Sequence, residues 1–99
     1  MKKIPEFLEY FLEDILGGNR EFSAKRMFSG YSIYKNKKIF AFFSDGDLYF
    51  RKNIFTENLE QFCYEKKGKT IFLPYFKIDE SILEDREELE KWIESSLDY

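Results

Sequence analysis

Residues 39–51 read Ile39-Phe40-Ala41-Phe42-Phe43-Ser44-Asp45-Gly46-Asp47-Leu48-Tyr49-Phe50-Arg51. Two runs rich in aromatic and aliphatic side chains flank a turn-forming Ser-Asp-Gly, the pattern of antiparallel strands joined by a tight reversal. Working outward, Asn36-Lys37 predicts a second hairpin turn, with a strand from Met27 to Tyr34 in front of it. Gly30 marks a bulge or bend in that strand. The result is a three-stranded meander.

The flanks change period. Phe7, Leu8, Phe11, Leu12, Ile15 and Leu16 recur at helical spacing, so a helix is expected from about Pro5 to Leu16. Pro5 suits its first turn and Gly17-Gly18 its left-handed cap. At the other end Asp85 caps a helix with Glu88 at the third position. Its buried stripe is Leu89, Trp92, Ile93 and Leu97, and Glu87, Glu90, Lys91 and Glu94 face water. Between meander and final helix, Phe55 to Phe62 predicts a short helix with Thr56 as its N-cap. Tyr64–Lys66 and Ile71–Ile78 form a hairpin around Lys67-Gly68-Lys69. Pro74 makes the last strand an edge strand or a bulged one, since proline cannot donate to the ladder. The expected fold is α+β and two-layered: a five-stranded antiparallel sheet with helices on one face, in the order α-β-β-β-α-β-β-α.

Strict alternation puts Ile39, Ala41 and Phe43 on one side of the central strand and Phe40 and Phe42 on the other. Both sides are apolar. Helices cover one of them, so the other needs loops, a second subunit or a partner. We expect the interface, with Phe40 and Phe42 as a self-association face and a homodimer as its consequence.

A chain of 99 residues supports one core and one domain. That core is aromatic, since 12 Phe, 7 Tyr and 1 Trp are available to fill it. The single Cys63 excludes an internal disulfide and favours a reducing compartment. Acidic residues break every apolar run after Met1-Lys2-Lys3, and no uncharged stretch approaches the ~18 residues of a membrane helix. A soluble, cytoplasmic domain is expected.

The formal charge of −3 is unevenly spread. Residues 1–19 hold two basic and four acidic groups, 20–78 twelve and six, and 79–99 two and nine. The middle is basic and both ends are acidic. Arg26, Lys35, Lys37, Lys38, Lys66, Lys67 and Lys69 are the candidate contacts for a partner or a nucleic acid. Lysines at hairpin tips also keep strands from pairing with strangers, and that plain role ranks first. Tyr34, Tyr49 and Tyr64 offer rings for single-strand stacking, but the acidic ends repel a polyanion, so the expectation is for weak, sequence-independent binding at most.

Catalytic chemistry is hard to build here. The chain has no histidine, which removes the usual general base and zinc ligand, so no metal or cofactor is expected. Cys63 lies between Phe62 and Tyr64 and reads as a small hydrophobe. Ser44-Asp45-Gly46-Asp47 lacks the spacing of a calcium loop, and Gly17-Gly18-Asn19 follows a helix instead of opening one. A non-enzymatic role is expected, with a small-molecule or enzymatic role ranking third.

Several elements occur in a telling order: Ala24-Lys25-Arg26-Met27-Phe28-Ser29-Gly30 with Tyr34, Lys35-Asn36-Lys37-Lys38-Ile39-Phe40-Ala41, and Asp47-Leu48-Tyr49-Phe50-Arg51-Lys52. Phe62-Cys63-Tyr64-Glu65-Lys66-Lys67-Gly68-Lys69, Leu73-Pro74-Tyr75-Phe76, Leu83-Glu84-Asp85 and Trp92 follow. Together they resemble the N-terminal domain of the TfoX/Sxy competence regulators over nearly the whole chain. Ser29 stands where that family often has glycine, and Tyr31 replaces a small residue, so a different local path near Gly30 is expected. The resemblance implies an α+β domain. It also implies a part in regulating DNA-uptake genes through protein contacts, with a second, C-terminal domain in the full regulators and no catalytic residues to carry over.

Overall fold

The computed structural model describes residues 6–18, 20–27 and 30–98; Pro5, Asn19 and Ser29, singled out above, lie outside them. The chain opens with α1 (Glu6–Tyr10), continued by a wider π-helical turn at Phe11–Ile15. Leu8 and Phe11 are buried there, and Gly17 and Gly18 take positive φ, as a left-handed cap requires. The strands are β1 (Phe22–Met27), β2 (Gly30–Lys35), β3 (Lys38–Ser44), β4 (Asp47–Arg51), β5 (Gln61–Lys66) and β6 (Lys69–Lys77). Two helices close the chain, α2 (Ser81–Glu84) and α3 (Arg86–Leu97). One antiparallel sheet runs β1-β2-β3-β4-β6-β5.

The sheet has six strands, not five. The extra one is β1, whose exposed Ser23, Lys25 and Arg26 hide its strand character. It ends where Met27 pairs with Gly30. The turns behave as expected: Asn36 and Lys37, Asp45 and Gly46, and Lys67 and Gly68 all have positive φ at both central residues, the twist that suits a two-residue hairpin.

The helix expected over Phe55–Phe62 does not form. An irregular crossover runs from Lys52 to Glu60 instead, and β5 begins at Gln61. Thr56 is no N-cap: its hydroxyl accepts from Asn53 N at 3.1 Å and donates to Asn53 O at 2.9 Å, closing a turn behind it. β6 lies between β4 and β5, but Pro74 stands just beyond its pairs with β4 and within the β5–β6 register shift, so a proline there interrupts no ladder bond to β4. Pro74 lies one residue before Tyr75, whose pairing with Arg51 ends the β4–β6 ladder, and three β6 residues stand opposite Phe62 where the β5–β6 register shifts. The Gln61 side-chain amide fills that gap by donating to Leu73 O at 3.0 Å.

A second bulge corrects the expected alternation. Ile33 pairs with Ala41 but Tyr34 pairs with Ile39, so Phe40 is the extra residue. Phe40 thereby joins Ala41 and Phe43 in the helix-side core, with Ile33, Leu48, Phe50, Leu89, Trp92 and Ile93. Phe42 stays on the far side with Tyr49 and Tyr75, packed by Met27, Ile39, Phe62 and Leu73. Phe40 and Phe42 are therefore on opposite faces and both fully buried. The far face is closed over Phe42 by side chains of the sheet itself, with Phe62 edge-on to Phe42 at 5.1 Å and to Tyr49 at 5.0 Å. Burial pushes the Tyr49 hydroxyl above its ordinary range, helped by the Asp47 charge. Burial does the same to Tyr75, against a small opposing pull from Arg51.

α3 crosses the other face. Asp85 caps it as expected, accepting from Glu87 N at 3.1 Å and Glu88 N at 3.2 Å. Leu89, Trp92 and Ile93 point inward, with the Trp92 ring edge-on to Phe50 at 6.0 Å. No helix among the described residues is long and apolar enough to cross a membrane.

Candidate interaction surface

The crossover after β4 is held by a buried polar knot. Asn53 Nδ2 donates to Arg51 O at 3.1 Å and to Ser96 Oγ at 2.7 Å, and Ser96 Oγ donates to Arg51 O at 3.0 Å. Asn53 Oδ1 accepts from Phe55 N at 2.7 Å, the side-chain-closed turn that asparagine favours. Ser95 Oγ accepts from Ile54 N at 3.1 Å. The hydroxyls of Ser95 and Ser96 thus tie α3 to the crossover, and Ser96 is fully buried. Every buried side-chain polar atom among the described residues has a partner. A satisfied network of this kind fixes one geometry.

That geometry turns apolar groups outward. Ile54 is 71% exposed, and Phe55 stacks on Trp92 at 5.2 Å with 26° between the rings while remaining 37% exposed. Beside them runs a groove of about 650 Å³ along the outer side of α3, rimmed by Glu87, Glu90, Glu94 and Asp98. Helical spacing puts these acids on one side. Lys91 is the cation among them, 3.9 Å from Glu88. The result is an apolar strip with an acidic border.

The basic residues proposed from sequence are not all brought together. Both hairpin tips, Asn36-Lys37 and Lys67-Gly68, lie at the same end of the sheet, because β3 and β6 both start there. Arg26, paired with Tyr31 opposite Phe43, lies toward the other end. Lys35 is occupied: its Nζ is 3.3 Å from Glu94 Oε1 and 5.7 Å from the centre of the Phe22 ring. Lys38, directly opposite Lys35, lies beside Glu94 and Asp98, so this tip is partly neutralised by α3. Lys37 is exposed in the turn. Lys66, Lys67 and Lys69 are all exposed, with Lys66 directly across from Lys69.

Sequence reasoning missed Asn53, Ile54, Phe55, Ser95 and Ser96. A usable signal existed, since Asn53 and Thr56 bracket two apolar residues in the manner of a turn that presents them. The partner hydroxyls lie more than forty positions away, beyond any local pattern.

The family model described as the TfoX N-terminal domain matches residues 14–99. Protein Sxy of Escherichia coli (strain K12) is 31% identical over 83 residues, covering 75% of this chain and 38% of that protein. The chain thus spans well under half the length of that relative.

Proposed function

The chain belongs to the TfoX N-terminal domain family, and from that premise we propose that it is a non-enzymatic regulatory domain acting on DNA-uptake gene expression through protein contact. The contact surface is the Ile54–Phe55 strip of the crossover where it lies against α3. Its partner is a segment that offers an apolar side chain flanked by cations, which suits the acidic border. The carrying observation is Ile54, held in the open by a hydrogen-bonded crossover instead of folding into the core. An exposed aliphatic on a rigid support loses little entropy on docking.

The test is Ile54→Asp in a reporter of DNA-uptake gene expression, in cells lacking the native copy. Ile54 is exposed, so the thermal midpoint should stay within about 3 °C of the parent. Activation should nevertheless fall by roughly tenfold or more, as expected for loss of a central contact residue. Lys25→Glu, on the opposite side of the sheet, should leave it unchanged. Full activation by the Ile54→Asp chain would refute the reading.

A further inference from the structure

The hairpin formed by β5 and β6 is an arm. Pairing with β4 ends at Arg51 with Tyr75, extended only by Lys52 N donating to Pro74 O at 2.8 Å. From Lys69 to Leu73, β6 has β5 as its one neighbour in the sheet. Leu73 still packs on the Phe42 cluster, and the four residues from Lys69 to Phe72, at about 3.3 Å each, carry the arm roughly 13 Å beyond it. A two-stranded ribbon without a packed face is marginal alone. This one also carries costs: Phe72 is 60% exposed beside exposed Cys63, and like charges face each other at Lys66 and Lys69. Among the described residues no acid pairs with Lys66, Lys67 or Lys69.

The groove on α3 supplies what the arm lacks. It has an apolar floor at Ile54 and Phe55 and acids at Glu87, Glu90, Glu94 and Asp98, of which Glu94 also holds Lys35, and Lys91 lies among them. The rim from Glu87 to Asp98 spans eleven helical steps, roughly 16 Å at about 1.5 Å each, long enough to take the arm along its length. We propose that the β5–β6 arm of one copy seats in the α3 groove of a second copy, Phe72 against Ile54 and Phe55 and the arm lysines against the acidic rim. Each copy carries both halves, so a two-fold pair makes the contact twice and closes. The inference rests on the reading of the groove as a contact surface, and makes the first occupant of that surface the protein itself. The exposed ring and the acidity of α3 favour this partner over a polyanion, which the groove would repel.

Sedimentation of the full chain tests it. At about 50 mM salt the mass should be that of two chains, and at about 500 mM, where screening shortens charge interactions, dissociation should be at least tenfold easier. One variant reverses the arm, Lys66→Glu with Lys67→Glu and Lys69→Glu. Another reverses the rim, Glu90→Lys with Asp98→Lys. All five positions are exposed, so both chains should fold, which circular dichroism checks. Each variant alone should be a single chain, because its arm and groove then repel. Mixed one to one they should restore the two-chain mass, since acidic arm meets basic groove and basic arm meets acidic groove. A parent that remains a single chain at low salt, or a pair indifferent to both reversals, overturns the proposal. So does a single-chain parent that binds labelled duplex DNA and loses it on arm reversal, which would assign the arm to nucleic acid. The Ile54→Asp reporter separates the two ideas: a single-chain parent silenced by that substitution removes the arm contact and leaves the groove as a site for another protein.

Discussion

Alanine at Gly30 should remove a large share of the domain's stability. A Cβ there would lie 2.1 Å from Phe43 O, 3.0 Å from the tip of the Phe42 ring and 3.1 Å from Phe43 C. Two of these atoms are backbone of the central strand and have nowhere to go. Gly30 is not among the residues with positive φ, so space and not backbone conformation demands glycine. Forcing β2 away from β3 breaks the pairing of Tyr31 with Phe43 and opens both clusters at once, because Phe43 belongs to one and Phe42 to the other. The cost is about 3 kcal/mol or more, against a total of roughly 5–15 kcal/mol for a domain. Gly46→Ala is the control. Its Cβ would meet nothing within 4 Å and its φ is +83°, so it should cost only about 1 kcal/mol. Urea unfolding of the two variants checks the contrast; equal losses would show that crowding at Gly30 is not decisive.

Asn53→Ala should be nearly as damaging. The substitution removes the donor to Arg51 O and Ser96 Oγ and the acceptor for Phe55 N, in a region sealed by α3. Buried groups left without partners cost about 1–3 kcal/mol each, partly offset here because Ser96 Oγ still reaches Arg51 O. A net loss of about 2–3 kcal/mol should lower the thermal midpoint by roughly 10–20 °C in a domain of this size. The crossover would also lose its hold on Ile54 and Phe55, so regulation should fall further than stability alone explains. A variant with the parent's midpoint would mean that the knot is not sealed from water.

What could be read from sequence follows from where each instruction lies along the chain. α3 was legible because its cap, stripe and wet face sit within thirteen residues, from Asp85 to Leu97. The hairpins were legible because Asn36-Lys37, Asp45-Gly46 and Lys67-Gly68 carry their own turn chemistry. β1 was not, since an edge strand needs few apolar residues and Ser23, Lys25 and Arg26 face water. The Phe40 bulge was invisible because Ile39 to Phe43 is apolar on both faces, so a one-residue slip leaves the pattern unchanged. The crossover was misread as a helix because Asn53 and Thr56 are satisfied by each other and by Ser96, a bond spanning 43 positions. For the same reason the exposed apolar pair is Ile54 and Phe55 in the crossover, while Phe40 and Phe42 on β3 are buried.

A contact surface formed before any partner arrives should show itself in hydrogen exchange at Ile54 and Phe55. Both side chains are exposed, yet their amides donate to Ser95 Oγ and Asn53 Oδ1. Both amides should exchange at least about a hundredfold more slowly than in an unstructured chain, and Asn53→Ala should abolish this protection under conditions where α3 stays protected. Exchange of Ile54 and Phe55 at the unstructured rate in the parent protein would contradict a preformed surface.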